Sequence, residues 1–239
     1  MNKHSISILL PFYGRWDLTH ACLTSLYQHM PLDTEIVLVN DASPDLDCKT
    51  GVAWWQKQGS NKLKIKYVEN KENLGFGGSH NRGATFASGD ILVFLSNDVV
   101  ISGNFVPKIE EIIDKFDGEV LIGGRIVSFD SGWNTIMLNG NPSIVSYPEG
   151  WLVSCTRGMW DRIGGWDMDY GKFDAEDLDI GAWALYNDVP MRGLDLPFLQ
   201  HMSGQTINPL YSNRRECTIK NIVIFKEKWT KKLEEKFSE

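Results

Sequence analysis

Apolar residues fall along this chain in short runs closed by polar residues, and between the runs they recur at helical spacing. Ser5 to Leu10, Glu35 to Val39 and Leu63 to Val68 read as strands. Ile91 to Leu95 is an unbroken apolar run, long enough for a strand buried on both faces and too short for a helix. Between them lie helical patterns. One holds Leu18, Cys22, Leu26 and His29 or Met30, with Asp17 as a cap, and stops at Pro31. Another spans roughly Asp45 to Gln58. A third opens near Gly103 or Asn104 and carries Val106, Ile109, Ile112, Ile113 and Phe116. Val120 to Ile126 is a further strand, broken at Gly123 and Gly124. Strand and helix thus alternate as far as residue 127. That order predicts an α/β fold with a mostly parallel, twisted sheet and helices on both faces.

From Ser128 the rhythm is lost. Residues 128–150 are rich in Gly, Asn, Ser and Pro, with Trp133 and Tyr147 among them. Such a stretch beside strand ends reads as a substrate-facing wall. Trp151 to Thr156 is again a strand, and Arg157 to Ile163 a short helix. A helix starting near Ala175 carries Ile180, Ala182 and Leu185, and Glu176, Asp177 and Asp179 crowd its first turn. The tail from Thr218 to Phe237 is helical and mixed in charge. Ile222, Phe225 or Lys226, Trp229, Leu233 and Phe237 fall on one side of it. Docking on the domain is its default use; the alternatives are homodimerisation or contact with a membrane surface.

Composition narrows the picture. The 239 residues are 42% hydrophobic, enough for one well-buried core. A net charge of −7 and the lack of a basic cluster argue against a nucleic-acid partner. The four cysteines form no CxxC pair, which argues against a zinc site or a disulfide scaffold. The mixed run before Pro11 is too short for a secretory h-region or a membrane span, so a cytoplasmic setting is expected.

The polar residues that close the strands are the candidate chemistry. In an open parallel sheet, ligands sit beyond the carboxyl ends of the strands. Ser96, Asn97 and Asp98 follow the most apolar run, and Asp41 follows the second strand, where a ribose or base edge is commonly gripped. Turn formation is the alternative use of all four. Gly75, Gly77, Gly78 and Gly83 lie between a strand and a helix. They do not make a dinucleotide fingerprint, because the spacing is wrong and no acid follows at the right place. A glycine-rich bend still brings backbone N–H groups toward an anion, with Asn81 and Arg82 on the first turns beyond it. The acids at 176, 177 and 179 either satisfy a helix start or hold a general base in a cleft. His201, after the last strand, is either structural or a metal ligand.

Taken together, these stretches resemble family 2 glycosyltransferases of the GT-A fold, over nearly all of residues 5–206. The likeness rests on ILLPFYGRWDLTHACLTSL, VNDAS, NLGFGGSHNRG, SND at 96–98, RGMWDRIGGWDMDY, AEDLD and the late His201. The glycine-rich segment is close to rhamnosyltransferase-like members. The resemblance implies a single GT-A domain. Its parts would be a nucleotide-sugar-binding half (1–127), a smaller acceptor-binding and catalytic half (128–217) and a C-terminal helix (218–239). Donor contacts are implied for Pro11, Tyr13, Asp41, Asn73, Gly75, Gly78, Asn81, Arg82, Ser96 and Asn97. Acceptor-side positions are Trp151, Arg157, Gly165, Trp166 and Asp167. Asp98 and His201 would bind Mn or Mg, Ser96 having replaced the first acid of the usual DxD.

The implied reaction is an inverting transfer with Asp177 as base and Glu176 beside it. The donor would be a nucleoside diphosphate sugar, with UDP or dTDP favoured over GDP. The acceptor would be a glycan or glycolipid, and the setting polysaccharide biosynthesis, in the cytoplasm or at the inner face of a membrane. A nucleotidyltransferase, a nucleotide-sugar hydrolase and a non-catalytic sugar-binding module are the alternatives. The first lacks its usual Gly- and Lys-rich loop after Leu10.

Overall fold

The computed structural model describes residues 4–202 and 213–238, apart from residues 46 and 60. Residues 203–206, the end of the resemblance, lie outside the described residues. One seven-stranded sheet organises the chain. Its four parallel strands on one side are β1 (Ile6–Phe12), β2 (Thr34–Asn40), β3 (Leu63–Glu69) and β4 (Ile91–Leu95). A short β5 (Val99–Ile101) leaves the sheet directly after β4. Beyond β4 the sheet continues with β6 (Leu121–Gly123) and two strands from the second half of the chain. Between β6 and those two come β7 (Ile126–Val127), the hairpin β8 (Thr135–Leu138) and β9 (Asn141–Ile144), and β10 (Tyr147–Pro148), which pairs with β7. Then β11 (Leu152–Thr156) inserts between β4 and β6, antiparallel to both, and β12 (Met191–Gly193) flanks β6 in parallel. The full order is β12-β6-β11-β4-β1-β2-β3. Because β11 and β12 complete the sheet begun by β1–β4 and β6, the two halves share one core.

Among the described residues, seven helices and a short 3-10 turn accompany the strands. They are α1 (Trp16–His29), α2 (Asp47–Gly59), α3 (Gly75–Phe86), α4 (Val106–Lys115), α5 (Arg157–Ile163), α6 (Glu176–Tyr186) and α7 (Arg214–Phe237). Alternation along the central strands assigns each side chain to a face. Ile8, Leu10, Ile91, Val93 and Leu95 pack with residues of α1, α2 and α4. Leu9, Leu92 and Phe94 point the other way, into a layer with Met159, Trp160, Trp166 and Ile180. All five residues of β4 are fully buried, as its composition requires. The helix α7 docks through Thr218, Asn221, Phe225, Trp229 and Leu233, spaced three or four apart, beside Leu178 and Ala182 of α6. Ile222 is only partly buried, and Phe237 is exposed.

Three local expectations change. The first strand does not stop at Leu10, because Pro11 and Phe12 continue β1. Pro11 pairs in register with Val39, and its missing N–H falls where β1 has already run past β4, whose pairing stops at Leu9–Phe94. Asp17 does not cap α1. Arg15 stands at that position with φ 46, and Asp17 sits in the first turn, bound to the Arg15 guanidinium at 2.8–2.9 Å. The glycines at 75–83 are not a bend before a helix, because they lie within α3. Only Gly75 has a positive φ, +75. At Gly83, a Cβ would lie 3.1 Å from Val39 and 3.3 Å from Leu9. The small residues let α3 lie close on the sheet.

Candidate active site

The carboxyl ends of β1, β2 and β4 open on one cleft of about 760 Å³. Pro11, Phe12 and Tyr13 line it from β1, Asp41 from β2, and Ser96, Asn97 and Asp98 from β4. Asn73, Gly75 and Phe76 add the start of α3. The opposite wall comes from the second half: Trp133, Tyr147, Glu149, Gly150 and Trp151, the segment 172–178, and His201.

Asp41 is 4% exposed and its carboxylate is well used. Oδ1 accepts from the Asn70 side chain and the Leu74 amide, each at 2.8 Å. Oδ2 accepts from the Gly75 amide at 2.9 Å. A carboxylate has about four lone-pair directions, so roughly one remains at Oδ2. Asp41 therefore shapes the turn into α3 as well as lining the cleft.

Asp98 and His201 come together through strand pairing. β13 (Leu199–His201) runs antiparallel to β5, with His201 opposite Val99. The Met202 amide donates to the Asp98 carbonyl at 3.0 Å. His201 Nε2 then lies 3.3 Å from Asp98 Oδ1, and the Trp151 ring stacks on the imidazole at 5.4 Å between centroids. One carboxylate and one imidazole, side by side at a cleft, fit a divalent cation with room for outside ligands. Among the described residues there is no cluster of three or more His, Cys, Asp or Glu that could hold a metal. The remaining positions would fall to ligand oxygens and water.

Asp177 lies in the first turn of α6 and lines the cleft. Its Oδ2 accepts from the Gly150 amide at 3.1 Å and its Oδ1 from the Leu178 amide at 2.9 Å. Burial raises its pKa to about 6, against the pull of those two amides, with Asp174 adding to the rise. Glu176 is buried where Asp177 is only half-buried, and its Oε2 has no hydrogen-bond partner. Burial first, then the Asp177 charge, push it up to about 8. Desolvation outweighs the helix dipole here. The third acid, Asp179, faces away. It accepts from Tyr170 Oη at 2.8 Å and Trp229 Nε1 at 2.6 Å, and pairs with Lys228 at 2.8 Å.

Seven residues expected at the site lie outside the cleft lining. Gly78 sits inside α3, where a Cβ would come 2.8 Å from Leu74. Asn81 pairs with the backbone of Trp166 in both directions, at 2.8 Å each. That bond explains Gly165 too, whose Cβ would press on Asn81 at 2.8 Å and whose φ is +92. Trp166 is a core side chain, 2% exposed. Arg82 is exposed over the Phe86 ring. Asp167 pairs with Lys228 at 2.6 Å. Arg157 binds the carbonyls of Ala87 and Gly89 at the far end of the sheet, where β11, running antiparallel, ends beside the start of β4.

Trp133, Tyr147 and Gly150 reach the cleft from the 128–150 stretch expected as a substrate-facing wall, while Phe173, Asp174 and Arg214 are residues the sequence did not point to. Arg214 leaves no local signal, since it lies about forty positions from its partner Asp174. Gly150 acts through its backbone amide, which carries no residue-type signal.

Comparison with known proteins fits this geometry. A family model described as glycosyl transferase family 2 matches residues 7–163, well over half of the chain. The chain belongs to that family. The matching model describes the family as a whole and does not single out the rhamnosyltransferase-like branch. Validoxylamine A glucosyltransferase of Streptomyces hygroscopicus subsp. limoneus is 24% identical over 230 residues, covering 78% of this chain and 49% of that one. The fold is similar to GalNAc-T7, solved with UDP, GalNAc and Mn2+, with a TM-score of 0.70 and 17% identity over 94% of this chain and 48% of that one. It is also similar to the mannosyltransferase PcManGT of Pyrobaculum calidifontis, solved with GDP-Man and Mn2+. There the TM-score is 0.61 and the identity 18%, over 80% of this chain and 54% of that one. These likenesses define the GT-A fold. The chain spans half or less of the length of curated relatives such as the glucosyltransferase. Among the described residues, no helix is long and apolar enough to cross a membrane.

Proposed function

We propose that this chain transfers a sugar from a nucleoside diphosphate sugar to an acceptor hydroxyl by an inverting single displacement. The observation that carries the proposal is Asp177. It is a half-buried carboxylate raised to about 6, held by two amides and lining the same cleft as Asp98 and His201. Asp177 takes the proton of the acceptor hydroxyl. The oxygen bonds to the anomeric carbon as the bond from that carbon to the diphosphate breaks, and the nucleoside diphosphate leaves with the bonding pair. Attack from the face opposite the leaving group inverts the anomeric centre. Glu176, beside Asp177, is protonated at neutral pH by its raised pKa and keeps a second negative charge away from the base.

Asp98 and His201 would hold Mn or Mg, which when bound offsets the charge of the diphosphate. Mn2+ in the two solved neighbours supports a divalent cation. Asp41, with its remaining acceptor direction, would face the base, and uracil or thymine N3–H would fit it. The neighbours carry UDP in one case and GDP-Man in the other. The acceptor would be a glycan or glycolipid, seated against Trp133, Tyr147 and Trp151.

The test is a screen of UDP-, dTDP- and GDP-sugars with Mn and candidate glycan acceptors, read as nucleoside diphosphate released. Asp177→Asn keeps the side-chain shape, removes the base and sets an NH2 against one of the two amides. It should lower transfer by roughly 10²–10⁴ and leave nucleotide affinity within a few-fold. Release of pyrophosphate instead, or near wild-type transfer by Asp177→Asn, would sink the proposal.

A further inference from the structure

We infer that α7 clamps the start of α6, and that Asn221 is the positioning residue that holds Asp177 and Glu176 toward the cleft. The functional part rests on Asp177 acting as the base; the geometric part does not. Asn221 is 3% exposed, and its side-chain NH2 lies 2.6 Å from the Tyr170 carbonyl and 2.8 Å from those of Phe173 and Asp174. One amide group thus gathers three carbonyls of the segment that leads into α6. At that lead, Asp174 and Ala175 take successive positive φ values of 67 and 80. Neither is glycine, and L side chains rarely adopt that conformation, so contacts from outside must impose it.

Those contacts come from α7. Arg214 donates to both carboxylate oxygens of Asp174, at 3.1 and 2.9 Å, and Thr218 Oγ1 donates to Oδ2 at 2.6 Å. One turn on is Asn221, and two turns further Lys228 and Trp229 hold Asp179 on the other side of the acid pair. Tyr170 joins the two grips, since its carbonyl binds Asn221 and its hydroxyl binds Asp179. Without Asn221, the 174–175 pair is free to relax toward right-handed φ. That turns the first residues of α6 and draws Asp177 off the Gly150 amide.

The test reads the geometry at Asp177 directly, in the full chain labelled with carboxyl 13C at Asp and Glu. The Asp177 signal is assigned by its loss in Asp177→Asn, and its titration is followed by NMR. Groups facing it are Glu176 and Asp174 on its own segment and Tyr147 from β10, and Arg214 from α7 acts on Asp174 and Glu176 beside it. In Asn221→Ala the midpoint should fall from about 6 by about one unit, because water reaching the carboxylate relieves the largest cause of the rise and outweighs the lost Gly150 amide. Affinity for Mn with UDP should hold within about threefold. Leu233→Ala, a core truncation lower on the same helix, should lower the melting temperature and leave the midpoint unchanged. Should Asn221→Ala not fold, Thr218→Val decides, with Thr218→Ser restoring the wild-type midpoint. An unchanged midpoint in the folded Asn221→Ala protein, or in Thr218→Val, overturns the clamp. Loss of the base reading alone would instead appear as full transfer by Asp177→Asn, with the midpoint shift intact.

Discussion

The Gly150 amide donates to Asp177 Oδ2 at 3.1 Å, and so ties the end of the 128–150 insertion to the first turn of α6. The two are pressed together further along, where Gly181 of α6 faces β10. A Cβ at Gly181 would overlap the Ser146 carbonyl oxygen and come 2.6 Å from Tyr147 Cβ. Backbone cannot give way as a flexible side chain can. Gly181→Ala should therefore cost about 1–3 kcal/mol in denaturant unfolding, as overpacking does. It should also slow transfer by moving Gly150 away from Asp177. Wild-type stability in that variant would show that the contact is not tight.

The pH profile follows from Asp177. A base must be deprotonated to act, and burial lifts this one to about 6. Transfer should therefore fall on the acid side with a midpoint near pH 6, not near the value of 3.9 typical of an exposed aspartate. Measuring kcat/KM from pH 5 to 8 by nucleoside diphosphate release checks this. A flat profile across that range would contradict the assignment.

At the other wall of the cleft, Asp98 has no acid at Ser96 to share its load. Asp98→Ala should weaken Mn-dependent nucleotide binding by more than about 100-fold, beyond the loss usual for a supporting residue. His201→Ala should raise the Mn concentration needed for half-maximal turnover by about tenfold or more. Calorimetry of UDP with and without Mn separates the two effects. Equal affinities in all three proteins would remove both residues from the metal site.

Much of this frame is legible in the sequence because burial leaves a periodic trace. The five apolar residues of β4 announced the central strand, and Asp98 just beyond it lines the cleft. The pairing of His201 with Asp98 leaves no such trace. It depends on β13 meeting β5 across about one hundred residues, and only the family resemblance suggested it. Asn81, Gly165 and Trp166 show the converse. Polar, glycine and aromatic residues near a motif read as a site, yet these three are a structural joint between α3 and the segment after α5. Arg157 misleads for a related reason. Sequence cannot tell which end of an antiparallel strand faces the ligand, and β11 is the one strand of the sheet that runs backward.

Asp41 should affect stability and nucleotide binding together. Its three donors include the amides of Leu74 and Gly75. Asp41→Ala strands buried N–H groups, at about 1–3 kcal/mol for an unsatisfied group. Asp41→Asn keeps the volume but sets an NH2 against one of those donors, so it should not rescue. Competition by UDP, dTDP and GDP, alongside denaturant unfolding, measures both effects. Unchanged inhibition constants in a destabilised variant would leave Asp41 a role in the turn alone.

Glu176 makes the stability of the protein depend on pH in an unusual direction. Its folded pKa of about 8 lies above the ordinary glutamate value near 4.3. Below about pH 4 both states carry the proton, and the favourable contribution of the neutral, buried acid is fully present. Between there and pH 8 the unfolded chain releases the proton while the folded one keeps it. Stability therefore declines as pH rises, and the contribution is gone once pH passes the folded pKa. Asp177 acts with the same sign up to about pH 6. Gln at position 176 fills the same space, stays neutral at every pH and escapes this decline. Glu176→Gln should thus gain on wild type from pH 5 to pH 9, by on the order of a few kcal/mol. Because both proteins keep Asp177, its own titration largely cancels in the difference. Urea unfolding of the pair at pH 5, 7 and 9 reads that difference. If it stays constant over the range, Glu176 is already ionised in the folded protein, and the neutral partner assigned to Asp177 is not there.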